Sequence, residues 1–237
     1  MNRSLLFVAI ALLFWGFGEG MFFNFVPIYL DRQFLLSEYE IGLVLGAFGF
    51  SMAITHIPAG RLSDRIGRPP LLFVAWILGL LSALVMGAAL ALPLFLIGLF
   101  GYGLTAFVSS PLSSYVTAAR GNWPIGTVLS LTTATFGLGM ALGPVTGGWI
   151  GDNYGMRMSF FVAAIMFILS NIFIFLIKRQ PIDGHDPEAP PPNLRSNQRF
   201  IIFMGVLGFA IFAMYLAQPL TPNFLEGVRG LSLSETG

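Results

Sequence analysis

Glu19 is the one formally charged side chain well inside an apolar run of this 237-residue chain. A carboxylate in hydrocarbon is costly enough that function is its default reading. At helical spacing it falls beside Gly16, Gly20 and Asn24, with Phe14, Met21 and Phe25 on the opposite side. It is therefore expected to face the interior of a helical bundle. There it is either a binding site for a proton or another cation, or a permanently neutral acid bonded within the bundle.

A second constellation is Gly60-x-x-x-Asp64-Arg65-x-Gly67-Arg68, in a polar loop between two apolar runs. An aspartate at a helix end can pair with arginine or rest against the positive N-terminus of another helix. Such a contact acts as a latch; the plainer alternative is a solvated loop that only sets topology. Thr105, Ser109, Ser113 and Thr117 form a hydroxyl stripe at i+4 spacing, with Ser110 and Ser114 beside it. Stripes of this kind either bond helix to helix or line a polar cavity. Asn24, Asn171, Tyr215 and Gln218 are single candidates for the same cavity, whereas His56 near a helix end reads as structural. With no cysteine, disulfides and thiolate metal sites are excluded. No metal-ligand cluster or nucleophile–base spacing suggests an enzyme, and no metal, cofactor or nucleic-acid partner is expected.

The elements that must hold these groups are membrane helices. Hydrophobic residues make up 56% of the chain and charged residues 10%, with a mean hydropathy of +0.81. Soluble proteins carry about 25% charged residues. Apolar runs of about 20 residues are long enough to cross a bilayer, and they fall at roughly 5–30, 41–59, 71–91, 94–117, 127–150, 158–177 and 200–222. Threading the chain through these seven runs puts Arg3, Arg61, Arg65, Arg68, Arg120, Lys178, Arg179, Arg195 and Arg199 on one side. Only Arg32, Arg157 and Arg229 fall on the other. Positive residues stay cytoplasmic, so the N-terminus is expected inside a plasma (inner) membrane. The proline-rich segment 178–199 is expected there too, as an extended cytoplasmic linker.

The chain also repeats itself. Pro27-Ile28-Tyr29-Leu30-Asp31 returns as Pro222-Asn223-Phe224-Leu225-Glu226, and Leu36-Ser37, Glu40 and Gly42 return as Leu231-Ser232, Glu235 and Gly237. Ser37 with Glu40 fits a helix-opening capping box, and so does Ser232 with Glu235. A duplicated architecture follows. Residues 1–177 are expected to form a six-helix half, 178–199 the linker, and 200–237 a seventh helix with the loop leading to an eighth. The chain reads as a fragment of a twelve-helix protein. A shorter echo links Gly60-x-x-x-Asp64-x-x-Gly67-Arg68 to Gly148-x-x-x-Asp152-x-x-Gly155-x-Arg157. Three helices separate these copies, so the second must face the opposite side. That is the mark of a three-plus-three inverted repeat.

The loop at Gly60, Asp64, Arg65, Gly67 and Arg68 closely resembles the signature loop of the major facilitator superfamily of transporters. Gly139-x-x-x-Gly143-Pro144-x-x-Gly147-Gly148 in the fifth run resembles that superfamily's antiporter motif. Glycines at i, i+4 and i+8 make a smooth face for close helix approach, and Pro144 removes a backbone hydrogen bond. The resemblance implies an all-α bundle working by alternating access, with a latch at Asp64 and a seal and hinge in the fifth helix. It also implies proton-coupled efflux of apolar or amphipathic small molecules by a monomer embedded in lipid. Two positions depart from the family: Pro69 and Pro70 follow Arg68 in place of further basic residues, and Ile97 stands where drug–proton antiporters commonly carry arginine. Uptake of a sugar, organic acid or other metabolite is the alternative within the superfamily. A non-transporting membrane sensor is the alternative outside it.

We predict that Asp64→Asn in the intact protein slows turnover and largely retains substrate binding. Coupling contacts worth about 1–3 kcal/mol shift a two-state balance about 5–150-fold. Transport at the normal rate in that variant would make Asp64 a loop residue.

Overall fold

A computed structural model of the chain describes residues 2–178, 197–215 and 220–237, without the side chains of 57–61, 64, 214 and 215. Among the described residues every regular element is helical. In lipid each backbone N–H and C=O must be satisfied within the structure, which leaves helices or closed barrels as the spanning forms. The first span is α1 (Arg3–Phe23) continued after a short turn by α2 (Val26–Phe34). Asn2 caps α1, its side chain accepting the Ser4 N–H at 3.1 Å. Pro27 sits in the first turn of α2, where a missing N–H costs nothing.

Next come α3 (Glu38–Ile66) and α4 (Arg68–Ala88). A further stretch runs through α5 (Leu92–Leu104), one 3₁₀ turn, and α6 (Ser109–Ala118). Then come α7 (Ile125–Tyr154), α8 (Met156–Phe175) and α9 (Gln198–Tyr215), with α10 (Thr221–Gly227) and α11 (Leu233–Thr236) closing the chain. Five stretches, Arg3–Phe34, Arg68–Ala88, Leu92–Ala118, Ile125–Tyr154 and Met156–Phe175, are long and apolar enough to cross a membrane. The expected spans 41–59 and 200–222 lie on α3 and on α9–α10, although residues 216–219 lie outside the described set, as does linker stretch 179–196.

Both expected capping boxes are present. Glu40 Oε2 accepts the Ser37 N–H at 2.8 Å, and Glu235 Oε2 accepts the Ser232 N–H at 2.9 Å. The Ser37 hydroxyl and N–H together hold the Glu40 carboxyl below its ordinary range. The turns at the two ends of the inverted echo also match. Gly67 closes α3 and opens α4 at φ 83°, and Gly155 closes α7 and opens α8 at φ 85°. That conformation is cheap for glycine alone.

Hydrogen bonds between distant residues fix which loops share an end. At one end Asn2 Nδ2 donates to Ala119 O at 3.3 Å, Tyr115 Oη to Lys178 O at 2.8 Å, and Lys178 N to Ser4 Oγ at 3.3 Å. At the other, the Arg157 guanidinium donates to Gly87 O and to Ala88 O, the latter at 3.0 Å. The chain alternates between these ends as the threading required.

The bundle is built around α1. This helix is apolar on nearly every side, the pattern of a fully enclosed helix, and it packs chiefly on α7 and α8. A Cβ added at Gly16, Gly139, Gly143 or Gly147 would run into the facing backbone, so the α1 and α7 main chains meet almost directly. On the other side Trp15 stacks on Phe167 at 4.6 Å and on Tyr102 at 6.0 Å, in a space that Gly79 leaves open. Ser170 of α8 accepts the Trp76 indole N–H at 2.7 Å and donates to Ala11 O at 2.6 Å, joining α4, α8 and α1.

We predict opposite effects for two alanine substitutions on α7. Gly147→Ala places a methyl against the Met21 backbone and should cost about 1–3 kcal/mol through overpacking. Gly137→Ala meets nothing within 4 Å and should gain up to about 1 kcal/mol of helix propensity. Thermal unfolding in detergent would check the pair.

Candidate functional site

Glu19 sits midway along the Arg3–Phe34 stretch and is partly exposed, one turn after Trp15. Its carboxyl group interacts with the Tyr102 hydroxyl from α5 and the Trp15 side chain. Both aromatic residues are buried, and the Tyr102 hydroxyl lacks a well-formed hydrogen bond. A carboxyl group flanked by two potential donors can be held in either protonation state by small shifts of those donors. The sequence places Trp15 beside Glu19 by i, i+4 spacing. Tyr102 comes from a distant helix, and only the fold brings it there.

On α1 the structure turns Gly16 and Glu19 towards neighbouring helices, but the opposite face of the wheel is enclosed as well. Met21 and Phe25 are buried too, Met21 against Gly147. Phe14 stacks on Phe173 at 6.0 Å. The less buried side of α1 runs instead through Leu6, Phe7, Ile10, Leu13, Phe14 and Phe17, so the wheel's outward face is misplaced towards the Met21 end.

The other candidates scatter. Asn24 is exposed just beyond α1. Ser109 and Ser113 are exposed, and their hydroxyls donate to Ala106 O at 3.1 Å and Ser109 O at 2.8 Å, within the local backbone. Thr117 is half-buried, and its carbonyl accepts from Arg120. Asn171 is enclosed and braces α8 to α4, its Nδ2 donating to Trp76 O at 3.1 Å. None of these is joined to Glu19 by a hydrogen bond among the described residues. Gln218 and the side chains of Asp64 and Tyr215 lie outside the described set, and so does the surrounding of Gly60. Arg65 is exposed in the last turn of α3, while Gly67 and Arg68 form the turn into α4. Gly139, Gly143, Pro144, Gly147 and Gly148 are all buried along α7.

Gly148 belongs to a different contact from its neighbours, because a Cβ there would meet Leu233 of α11 rather than α1. This contact is the better-formed site. One turn on, Asp152 Oδ1 accepts the Leu233 N–H at 3.1 Å, and its Oδ2 accepts the Ser234 N–H at 2.9 Å and the Ser234 hydroxyl at 2.7 Å. A carboxylate on the unpaired N–H groups of a helix start is a favourable electrostatic pairing. Leu233 is buried beneath it, packed on Phe25 and Ile28. Alongside, Arg32 of α2 forms an ion pair with Glu226 of α10. Sequence reasoning singles out Asp152 as half of an echo, not as a contact, and it misses the Arg32–Glu226 pair. The signal is present: Glu226 occupies the repeat position of Asp31, next to Arg32.

Comparison with known proteins agrees with this architecture. The sequence model of the Major Facilitator Superfamily matches residues 8–237. Multidrug resistance protein 2 of Bacillus subtilis is 27% identical over 198 residues, covering 79% of this chain and 49% of that protein. Tetracycline resistance protein, class B, of Escherichia coli is 26% identical over 229 residues, covering 92% and 55% respectively. The chain thus spans about half the length of these relatives. The crystal structure of the nucleoside transporter NupG superposes with a TM-score of 0.71 at 14% identity, over 95% of this chain and 58% of that one, a likeness of fold.

We predict that Asp152→Asn loosens the contact with α11. Hydrogen bonds to a charged group are worth about 1.5–3 kcal/mol, so opening should rise about tenfold or more. Because the chain has no cysteine, Leu233→Cys gives a clean buried reporter. Its maleimide labelling should be about tenfold faster when combined with Asp152→Asn than with Asp152 intact; equal rates would count against the contact.

Proposed function

The chain belongs to the Major Facilitator Superfamily, and from that premise we propose that the intact protein is a secondary active transporter working by alternating access. The observation that carries this reading is the contact of Asp152 with the start of α11, reinforced by Arg32 with Glu226. Among the described residues it ties the first six helices to the opening of the next unit at one end of the bundle. Alternation requires such contacts at each end in turn, around a site near mid-membrane. Asp64 is the counterpart at the other end: the turns at Gly67 and Gly155 share one backbone conformation, and each lies three residues after its aspartate. The basic residues cluster at the Asp64 end, which by the positive-inside rule is cytoplasmic, with the N-terminus. The protein is then a multi-pass protein of the inner membrane.

Efflux of apolar or amphipathic compounds is the leading direction. Its support is the naming of the relatives, which are resistance proteins, and the close α1–α7 seam around Gly139, Gly143 and Gly147. Protons are the proposed coupling ion and Glu19 their carrier, since it lies well inside an apolar run, far from the ends, and has Tyr102 and Trp15 beside it. Substrate leaving and proton entry then compete for states of one carboxyl group.

Glu19→Gln mimics the protonated form. We predict that it folds normally and loses uphill efflux, measured in proteoliposomes with an imposed pH gradient. Substrate exchange without a gradient should survive, because that half-cycle moves no proton. Uphill transport with unchanged pH dependence in Glu19→Gln would make the carboxyl group structural.

A further inference from the structure

A cavity of about 250 Å³ opens at the Asp152 end, between α2 and the turn from α7 to α8. Tyr29, Arg32, Gln33 and Arg157 supply its polar lining, and Gly151 and Gly155 leave its far wall without side chains. Its size decides what it can hold. Sites for drug-sized ligands run from about 300 to 1,000 Å³, so this one suits a small group rather than the proposed efflux substrate.

Its chemistry is cationic and rich in donors. Arg157 spends two of its N–H groups on the carbonyls that end α4, at Gly87 and Ala88. Among the described residues no carboxylate pairs with it, so its charge is uncompensated. Arg32 pairs with Glu226, lies close enough to the Asp152 carboxylate to attract it, and lines the cavity beside Arg157. Tyr29 is 3% exposed, held by Phe34, Phe95 and Phe160, and its hydroxyl has no hydrogen-bond partner. A buried hydroxyl normally finds an acceptor, and the lining of this cavity offers arginines and an amide but no carboxylate. A compact anion with several acceptor oxygens would serve Arg157 and the Tyr29 hydroxyl together. Arginine favours phosphate oxygens through paired, charge-assisted bonds.

We propose that this cavity binds a phosphate-type oxyanion, held by Arg157 and Arg32 with the Tyr29 hydroxyl donating to it. The oxyanion is either free phosphate or the phosphodiester of a lipid headgroup, since the cavity lies at an end of the bundle. This site goes beyond the transport reading and does not depend on it.

The test uses the purified protein in nanodiscs of neutral phosphatidylcholine. One arm measures radiolabelled inorganic phosphate by equilibrium dialysis. The other adds phosphatidylglycerol and measures its retention by native mass spectrometry. Arg157→Gln should abolish binding, but Arg157 also secures the end of α4, so that variant risks misfolding. Tyr29→Phe keeps the ring packing and removes one donor; it should weaken binding about tenfold, the worth of one hydrogen bond to a charged group. Saturable binding of either probe, weakened in Tyr29→Phe, sustains the site and identifies the source of the anion. Binding of neither probe, or equal binding in Tyr29→Phe, overturns it. Transport measured on the same preparation bears on the carrier reading alone.

Discussion

Two backbones that nearly touch set the plan of this molecule. Helix association in lipid gains nothing from the hydrophobic effect, because the solvent is as apolar as the side chains. Close contact must come from shape. Gly16 and Gly20 on α1 face Gly139, Gly143 and Gly147 on α7, and at most of these positions a single added carbon would strike the opposite main chain. With α7 so close, α1 becomes the axis of the bundle, and α8 completes its enclosure. The depth and orientation of Glu19 follow from that position. So does the three-ring cluster of Trp15, Tyr102 and Phe167, which fills the side of α1 that α7 leaves open.

The polar interior supplements this packing. Ser170 links Trp76 to Ala11, and Asn171 links α8 to the carbonyl of Trp76. Each bond satisfies a group that would be costly to leave unpaired away from water. These braces lie in the half of the bundle away from the Gly139–Gly147 seam, where side chains rather than backbones meet.

Much of this was legible in the sequence, and for identifiable reasons. Capping boxes at Ser37 and Ser232 are local devices, set by four consecutive residues, and the structure has both. Gly67 and Gly155 carry the same backbone turn because the chain spells the same short pattern twice. Long apolar runs mark helices wherever water is absent. What the sequence hid depends on which helix lies next to which. The packing of α1 against several helices defeats a two-sided wheel, on which Met21 and Phe25 look outward while lying inside. Asn171 reads as a cavity residue until Trp76 is seen opposite its amide. Tyr102 meets Glu19 across more than 80 residues of chain, and Arg32 meets Glu226 across nearly 200, distances that no periodicity spans.

The glycine turns have a mechanical consequence. At Gly67 and at Gly155 one residue ends a helix and begins the next, so no loop separates α3 from α4 or α7 from α8. A connection of one residue has two soft dihedrals, and at both elbows φ is fixed at a positive value that other residues adopt at a cost. Slack is absent at these elbows. A displacement of the elbow at Gly155 is therefore delivered to α7 and α8 together, and one at Gly67 to α3 and α4. Each hairpin behaves as a crank with its handle at the membrane surface and its throw at the depth of Glu19.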